Sequence, residues 1–280
     1  MNPYLEIIRP GNVVMALIAV ILIGIIDFDF NIPLILALFA VFFAMSGGNV
    51  INDYFDYEID TINRPERPIP SGRISRKKAR NYSYFLFIAA IVVGFLIYFM
   101  TRNPVPWAIV VFAVVILYLY AYIFKSTPLI GNMIVGLLTG LCFIFAGYTL
   151  DNPTIISISY YLAFFAFVMT TAREITKDIE DIEGDKKEGA NTFPIKFGKK
   201  IAGVLAFILI VIDSVLCPLL YFDHVFNAIY LVIVAVAVII FVYAAILLIK
   251  DQDPKTCKKV SKYLKIGMLI AFVAFALGSF

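Results

Sequence analysis

Nine stretches of this 280-residue chain are apolar for long enough to cross a lipid bilayer, and only short polar connections lie between them. A hydrocarbon core takes about 20 residues of helix to span. Backbone inside it must satisfy its own hydrogen bonds, which a helix does and an open strand does not. The stretches fall at 12–27, 33–51, 81–100, 105–123, 132–150, 155–172, 201–221, 227–249 and 263–280. They predict an all-α integral membrane protein with nine transmembrane helices, residues 1–280 forming a single domain and leaving no soluble domain over. With 62% of its residues hydrophobic, the chain is not an ordinary soluble enzyme, and nothing in it indicates a nucleic-acid or protein partner.

The count of nine is supported by charge. If the N-terminus is cytoplasmic, every one of the 23 Lys and Arg except Arg102 falls in a cytoplasmic segment, the asymmetry that orients membrane proteins. Eight or ten spans would scramble that partition. The expected topology therefore places the N-terminus in the cytoplasm and the C-terminus outside a cell membrane crossed many times. Only Arg9 precedes the first apolar run and no small-residue cleavage site ends it, so that run is expected to be retained. Cys142, Cys217 and Cys257 lack metal-ligand spacing and are expected to be small packing residues.

Two acidic stretches break the apolar pattern. NDYFDYEID carries Asp53, Asp56 and Asp60, and DIEDIEGD carries Asp178, Asp181 and Asp185, both spaced D-x-x-D-x-x-x-D and offset by 125 residues. Four apolar runs separate the copies, an even number, so both face one side of the membrane, as in a parallel internal repeat. On a continuous helix, positions i, i+3 and i+7 lie within about 60° of one another. Each triplet is thus expected to form an acidic stripe at the cytoplasmic end of the second or sixth run, where the helix dipole also disfavours negative charge. Such repulsion calls for a cation. Neither stretch has the glycine and terminal glutamate of a calcium loop, whereas Mg²⁺ shares its shell with carboxylates, water and phosphate oxygens.

Basic residues accompany the acids. NRPERPIPSGRISRKKAR places Arg64, Arg67 and Arg73 in a proline-stiffened loop with a Ser71-Gly72 turn, and Lys186, Lys187 and Lys196 follow the second motif. Arg76, Lys77, Lys78 and Arg80 are explained by topology alone. Arg64 and Arg67 are candidates for binding phosphate oxygens through their guanidinium forks. Lys125, the one base in the link YLYAYIFKSTPLIGN after Tyr118 and Tyr122, is a candidate catalytic residue, against the simpler role of a lysine snorkelling to the membrane edge. Metal-binding stripes with Arg and Lys, backed by an apolar cavity open to membrane lipid, suit a ligand that is half diphosphate and half hydrocarbon. A prenyl diphosphate is such a ligand, and metal-assisted departure of its diphosphate is the natural chemistry.

NDYFDYEID with RPERPIPSGRIS, the link ending KSTPLIGN, and DIEDIEGD followed by NTFPIKFG resemble, in order, the loops of the UbiA superfamily of intramembrane prenyltransferases. The resemblance runs from Arg9, Pro10 and Asn12 to at least the seventh span. It implies nine helices around a central cavity, a cytoplasmic cap, and two Mg²⁺ ions bridging the motifs to the substrate diphosphate. It also implies that Asn52, Asp53, Asp56 and Asp60 form the first metal motif and Asp178, Asp181 and Asp185 the second. Asn52, Arg64, Arg67 and Lys125 then contact the diphosphate, with Asp56, Asp60, Asp181, Asp185 and Lys125 catalytic. Within the superfamily, REITKDIEDIEGDKKEGANTFPIKFG most resembles an archaeal ether-lipid branch. The implied substrates are geranylgeranyl diphosphate and the sn-2 hydroxyl of geranylgeranylglyceryl phosphate.

Composition and spacing leave the acceptor open between this alcohol and an aromatic ring of the quinone, haem or chlorophyll type. A transporter predicts charged groups near midspan in both halves. Here Asp213 is the one isolated carboxylate at midspan, and it is either functional or a hydrogen-bonded structural group. The sole histidine, His224, falls in an outer loop, so no general base is named.

Overall fold

The computed structural model describes residues 2–187 and 189–280; the Lys187 side chain and Glu188 lie outside what it describes. Among the described residues every regular element is helical, and nine helices are long and apolar enough to cross a bilayer. In chain order these and the shorter helices are α1 (Pro3–Ile7), α2 (Pro10–Asp27), α3 (Ile32–Phe55), α4 (Tyr57–Asn63), α5 (Arg76–Thr101), α6 (Pro104–Tyr122) and α7 (Ile130–Leu150). They continue as α8 (Pro153–Glu180), α9 (Ile182–Lys187), α10 (Phe193–Phe197), α11 (Lys199–Leu216), α12 (Leu219–Phe222), α13 (Ala228–Lys250) and α14 (Pro254–Gly278). The nine expected runs each lie on one spanning helix, the seventh being formed by α11 and α12 together.

Several helices outlast their apolar runs. The run ending at residue 172 sits on α8, which continues to Glu180, and α14 starts at Pro254, nine residues before its run. Hydropathy marks where the hydrocarbon ends, whereas the backbone hydrogen-bond ladder continues into the polar interface until a cap stops it. Asp253 caps α14 by accepting from the Lys255 N–H at 3.2 Å, with Pro254 in the first turn. Ser75 does the same for α5 through the Lys78 N–H at 3.3 Å.

The chain packs as two compact units, residues 1–124 with 141–159 and residues 125–140 with 160–280. In the first, α3 is central and packs on α2, α5 and α6. Its hairpins turn sharply. Arg102 and Asp151 take the left-handed conformation that ends a helix, and Asn103 and Asn152 then cap the next helix with proline following. Asn103 also donates to Asp151 at 3.1 Å, and Asn152 to Asp27 at 2.8 Å. In the second unit α13 packs on α11 and α14.

Gly136 and Gly140, spaced as small-xxx-small, let α7 approach α8 closely within this unit. A Cβ on Gly140 would lie 2.6 Å from the Ala163 carbonyl oxygen, and one on Gly136 would lie 2.7 Å from that of Phe167.

Candidate functional site

The first acidic motif straddles two helices rather than lying on one. α3 carries Asn52 and Asp53, α4 carries Asp60, and Asp56 forms the joint, with φ −75° and ψ 1°. The helical ladder still passes through it, since the Asp56 N–H reaches the Asn52 oxygen at 2.9 Å and the Asp60 N–H the Asp56 oxygen at 2.8 Å. Short polar side chains that compete for backbone groups weaken a helix at such positions. The carboxylates nevertheless converge. Asp53, Asp56 and Asp60 are 4%, 9% and 5% exposed, and each offers an oxygen within 4.8 Å of the others.

Buried like charges at that separation require compensation. Arg9 pairs with Asp53, and Arg67 Nη1 lies 2.6 Å from Asp60 and 3.5 Å from Asp53. Arg9 occupies the left-handed turn before α2, which is held against α3 by Asn49, whose Nδ2 donates to the Ile8 carbonyl at 2.8 Å. Asn49 and Asp53 are one helical turn apart, so one face of α3 grips both the backbone and the side chain of this turn. The Asn52 Oδ1 atom is buried and has no hydrogen-bond partner among the described residues. An orphaned amide oxygen beside three convergent carboxylates is the hard, all-oxygen donor set that Mg²⁺ prefers.

Arg67 and Arg64 lie in the expected loop but in different settings, since Arg67 is half-buried against the acids and Arg64 is exposed. Arg73 forms a two-pronged pair with Glu6 at 2.7 and 2.9 Å. This pair holds the Glu6 carboxyl below its ordinary value and raises Arg73. Arg76 stacks over Tyr54 and Tyr57, with its guanidinium carbon 4.8 and 5.3 Å from the ring centres.

The second motif repeats the helix–joint–helix plan in its own unit. Asp178 lies in the last turn of α8, Asp181 is the joint, and Asp185 is in α9. Here too the backbone bonds continue, from the Asp181 N–H to the Lys177 oxygen at 2.8 Å and from the Asp185 N–H to the Asp181 oxygen at 3.0 Å. The single continuous stripe expected from the spacing is therefore a jointed one in both places. This motif is more open than the first: Asp181 is exposed, and Asp178 and Asp185 are half-buried. Asn132, buried on α7, donates to Asp178 Oδ2 at 2.8 Å.

Lys125 is exposed in a 3-10 turn at Phe124–Ser126. The Asn191 N–H bonds the Ser126 oxygen at 3.2 Å and the Ala190 N–H bonds the Asp185 oxygen at 2.9 Å, which stitches the Lys125 turn to the segment after the second motif. Lys186 is exposed, and Lys196 lies over the Phe197 ring at 5.4 Å.

Sequence reasoning did not place Arg9 and Asn132 in the site. Their signal was faint: both stand at the start of a spanning helix that precedes a motif helix. Asp213 is 2% exposed, and its Oδ1 has no hydrogen-bond partner among the described residues, so the satisfied structural role is not what the structure holds at that atom. His224 is exposed, and among the described residues Cys142, Cys217 and Cys257 form no disulfide.

The UbiA prenyltransferase family model matches residues 12–274. The chain belongs to that family. It is accordingly a multi-pass membrane protein and an enzyme of the UbiA prenyltransferase class. It is 65% identical to the digeranylgeranylglyceryl phosphate synthase of Methanobrevibacter smithii over 280 residues, covering 100% of this chain and 99% of that one. A solved structure of a digeranylgeranylglyceryl phosphate synthase in membranes matches with a TM-score of 0.85 at 41% identity, covering 99% of this chain and 97% of that one. A UbiA homolog from Archaeoglobus fulgidus, solved with GPP and Mg²⁺ bound, shares the fold at 19% identity with a TM-score of 0.69, covering 96% and 99%.

Proposed function

We propose that the chain catalyses the Mg²⁺-dependent transfer of a geranylgeranyl group from geranylgeranyl diphosphate to the sn-2 hydroxyl of geranylgeranylglyceryl phosphate, forming an archaeal ether membrane lipid. The carrying observation is the convergent Asp53, Asp56 and Asp60 group, with the orphaned Asn52 oxygen beside it and Arg67 at its edge, in a chain 65% identical along its length to an enzyme of that name. Residues 1–280 act as one domain, with the acidic motifs and N-terminus facing the cytoplasm and the C-terminus outside. The confinement of basic residues to one set of connections supports that orientation.

Asn52, Asp53, Asp56 and Asp60 are the donors for metal in the first motif, and Asp178, Asp181 and Asp185 in the second. Bound there, Mg²⁺ supplies positive charge to the oxygens of the departing diphosphate. Arg64, Arg67 and Lys125 neutralise the same leaving group with fixed or tethered cations, which favours charge on the diphosphate more than on the intact ester. The bond from the allylic C1 to the diphosphate oxygen breaks, and its electron pair leaves with the diphosphate. The acceptor hydroxyl oxygen forms the new ether bond to C1, and its proton passes to a site aspartate or to the released diphosphate. An allylic electrophile of this kind needs little activation of the nucleophile, consistent with a site built from carboxylates and bases without histidine.

The deciding experiment supplies purified protein in detergent with Mg²⁺ and labelled geranylgeranyl diphosphate, offering geranylgeranylglyceryl phosphate and 4-hydroxybenzoate in parallel. Product with the glyceryl phosphate alone is expected. Product with the aromatic acid alone would keep the leaving-group chemistry and overturn the acceptor, and silence with both would overturn the donor as well.

A further inference from the structure

Arg73 stands in the same loop as the proposed diphosphate ligands, but every nitrogen of its guanidinium is already engaged by the protein. Nη1 and Nη2 bond the two Glu6 oxygens, Nη2 also bonds the Glu66 carbonyl at 2.5 Å, and Nε bonds Ser71 Oγ at 3.0 Å. Ser71 Oγ in turn donates to the Arg67 carbonyl at 2.7 Å, and the Ser71 N–H bonds the same oxygen at 3.0 Å. Arg67 is thus gripped through its own carbonyl and through that of the residue before it. Its side chain runs from this anchored backbone to Asp60 and Asp53.

Beneath the polar strap lies a small apolar core. Ile7 and Ile8 of the N-terminal segment pack with Ile69 and Ile74 of the loop and with Val50, Ala79 and Leu86. Gly72, at φ +75°, supplies the turn that brings Arg73 back over Glu66. The segment before the first membrane span therefore clamps the loop from one side by burial and from the other by a forked ion pair.

We infer that Arg73 is a positioning residue and Glu6 its anchor, together fixing the loop so that Arg67 meets the substrate diphosphate in one orientation. This rests on the proposed prenyl transfer for its substrate, but not for its geometry. A solvent-facing ion pair adds little to global stability. Its effect here is local: it removes the freedom of a loop that must otherwise be ordered when the anion binds.

The test compares Arg73→Ala, Arg73→Lys and Glu6→Gln with wild type in the full-length detergent-solubilised protein. Three readouts are taken: the affinity for inorganic diphosphate with Mg²⁺, the KM for each substrate with kcat, and amide exchange across residues 64–74. Arg73→Ala should weaken diphosphate binding and raise donor KM about tenfold, the loss that one charge-assisted hydrogen bond's worth of positioning produces. Acceptor KM and kcat should stay within about twofold, and the loop amides should exchange faster. Arg73→Lys should recover little, because an ammonium cannot reproduce the fork. Glu6→Gln should shift the same readouts in the same direction by a smaller factor.

Glu6 is the discriminating position, because an acid cannot itself attract diphosphate. If Glu6→Gln leaves diphosphate affinity unchanged or improves it while Arg73→Ala weakens it, Arg73 is a direct ligand and the inference is overturned. Faster exchange with unchanged diphosphate affinity overturns it as well. If wild type binds diphosphate but transfers no prenyl group, the proposed reaction fails while the affinity and exchange data still decide the strap.

Discussion

Replacing Gly140 with alanine tests whether helix packing in the second unit holds its acidic motif in register. The added Cβ would sit 2.6 Å from the Ala163 carbonyl oxygen, and ordinary contact begins at 3.4 Å, so α7 and α8 must separate there by about 0.8 Å. The obstruction is backbone, and no substitution at Ala163 can relieve it. Overpacking of this kind costs about 1–3 kcal/mol.

Eight residues earlier on α7, about 12 Å along the helix, Asn132 holds Asp178 at 2.8 Å. A rigid displacement of the same size would stretch that contact to about 3.6 Å, where it is no longer a hydrogen bond. Gly140→Ala should therefore lower the thermal unfolding midpoint in detergent by several degrees and reduce prenyl transfer beyond what the loss of folded protein explains. Asn132→Ala should reproduce the activity loss with a smaller change in midpoint. Gly11→Ala, where a Cβ meets nothing within 4 Å, is the stability control. Wild-type midpoint and turnover in Gly140→Ala would refute the reasoning from packing to site.

Asp56→Ala or Asp181→Ala should abolish turnover while leaving a wild-type unfolding profile, since each removes a proposed ligand without opening an apolar core; near-normal turnover in folded Asp56→Ala would sink the metal assignment. Arg9→Ala strands a buried Asp53 carboxylate with Arg67 at 3.5 Å, and should destabilise the protein by about 1.5–3 kcal/mol. Adding Asp53→Asn should recover part of that loss in chemical unfolding, because the stranded charge is gone. Glu6 is held below the ordinary value of 4.5 by Arg73, so its contribution to the strap is fully present above that value and is lost as pH falls through the folded pKa. A carboxyl-carbon NMR titration should give a Glu6 midpoint below 4.5, returning upward in Arg73→Ala; an unchanged midpoint in that variant would remove Arg73 as the cause.

Hydropathy is a property of each segment alone, which is why all nine spanning helices were legible before any packing was known. The duplicated aspartate spacing was legible for the same reason, and it located both motifs at the ends of α3 and α8. What spacing could not give was the joint at Asp56 and Asp181, because a period of 3.6 residues assumes an unbroken helix.

The partners were out of reach for a different reason. Arg9 meets Asp53 across 44 residues, Asn132 meets Asp178 across 46, and Arg73 meets Glu6 across 67. A basic loop in a membrane protein is expected from topology, so the sequence could not separate Arg67, which reaches the acids, from Arg73, which makes four hydrogen bonds to Glu6, Glu66 and Ser71. Gly136 and Gly140 carried a readable small-residue spacing, but only the approach of α8 showed that no side chain fits there. Local chemistry decided that this chain crosses the membrane and carries paired acidic motifs. The tertiary structure decided which cations neutralise the first motif, which amide steadies the second, and which arginine is paired with the N-terminal segment, because those choices depend on segments that meet only after the chain has folded.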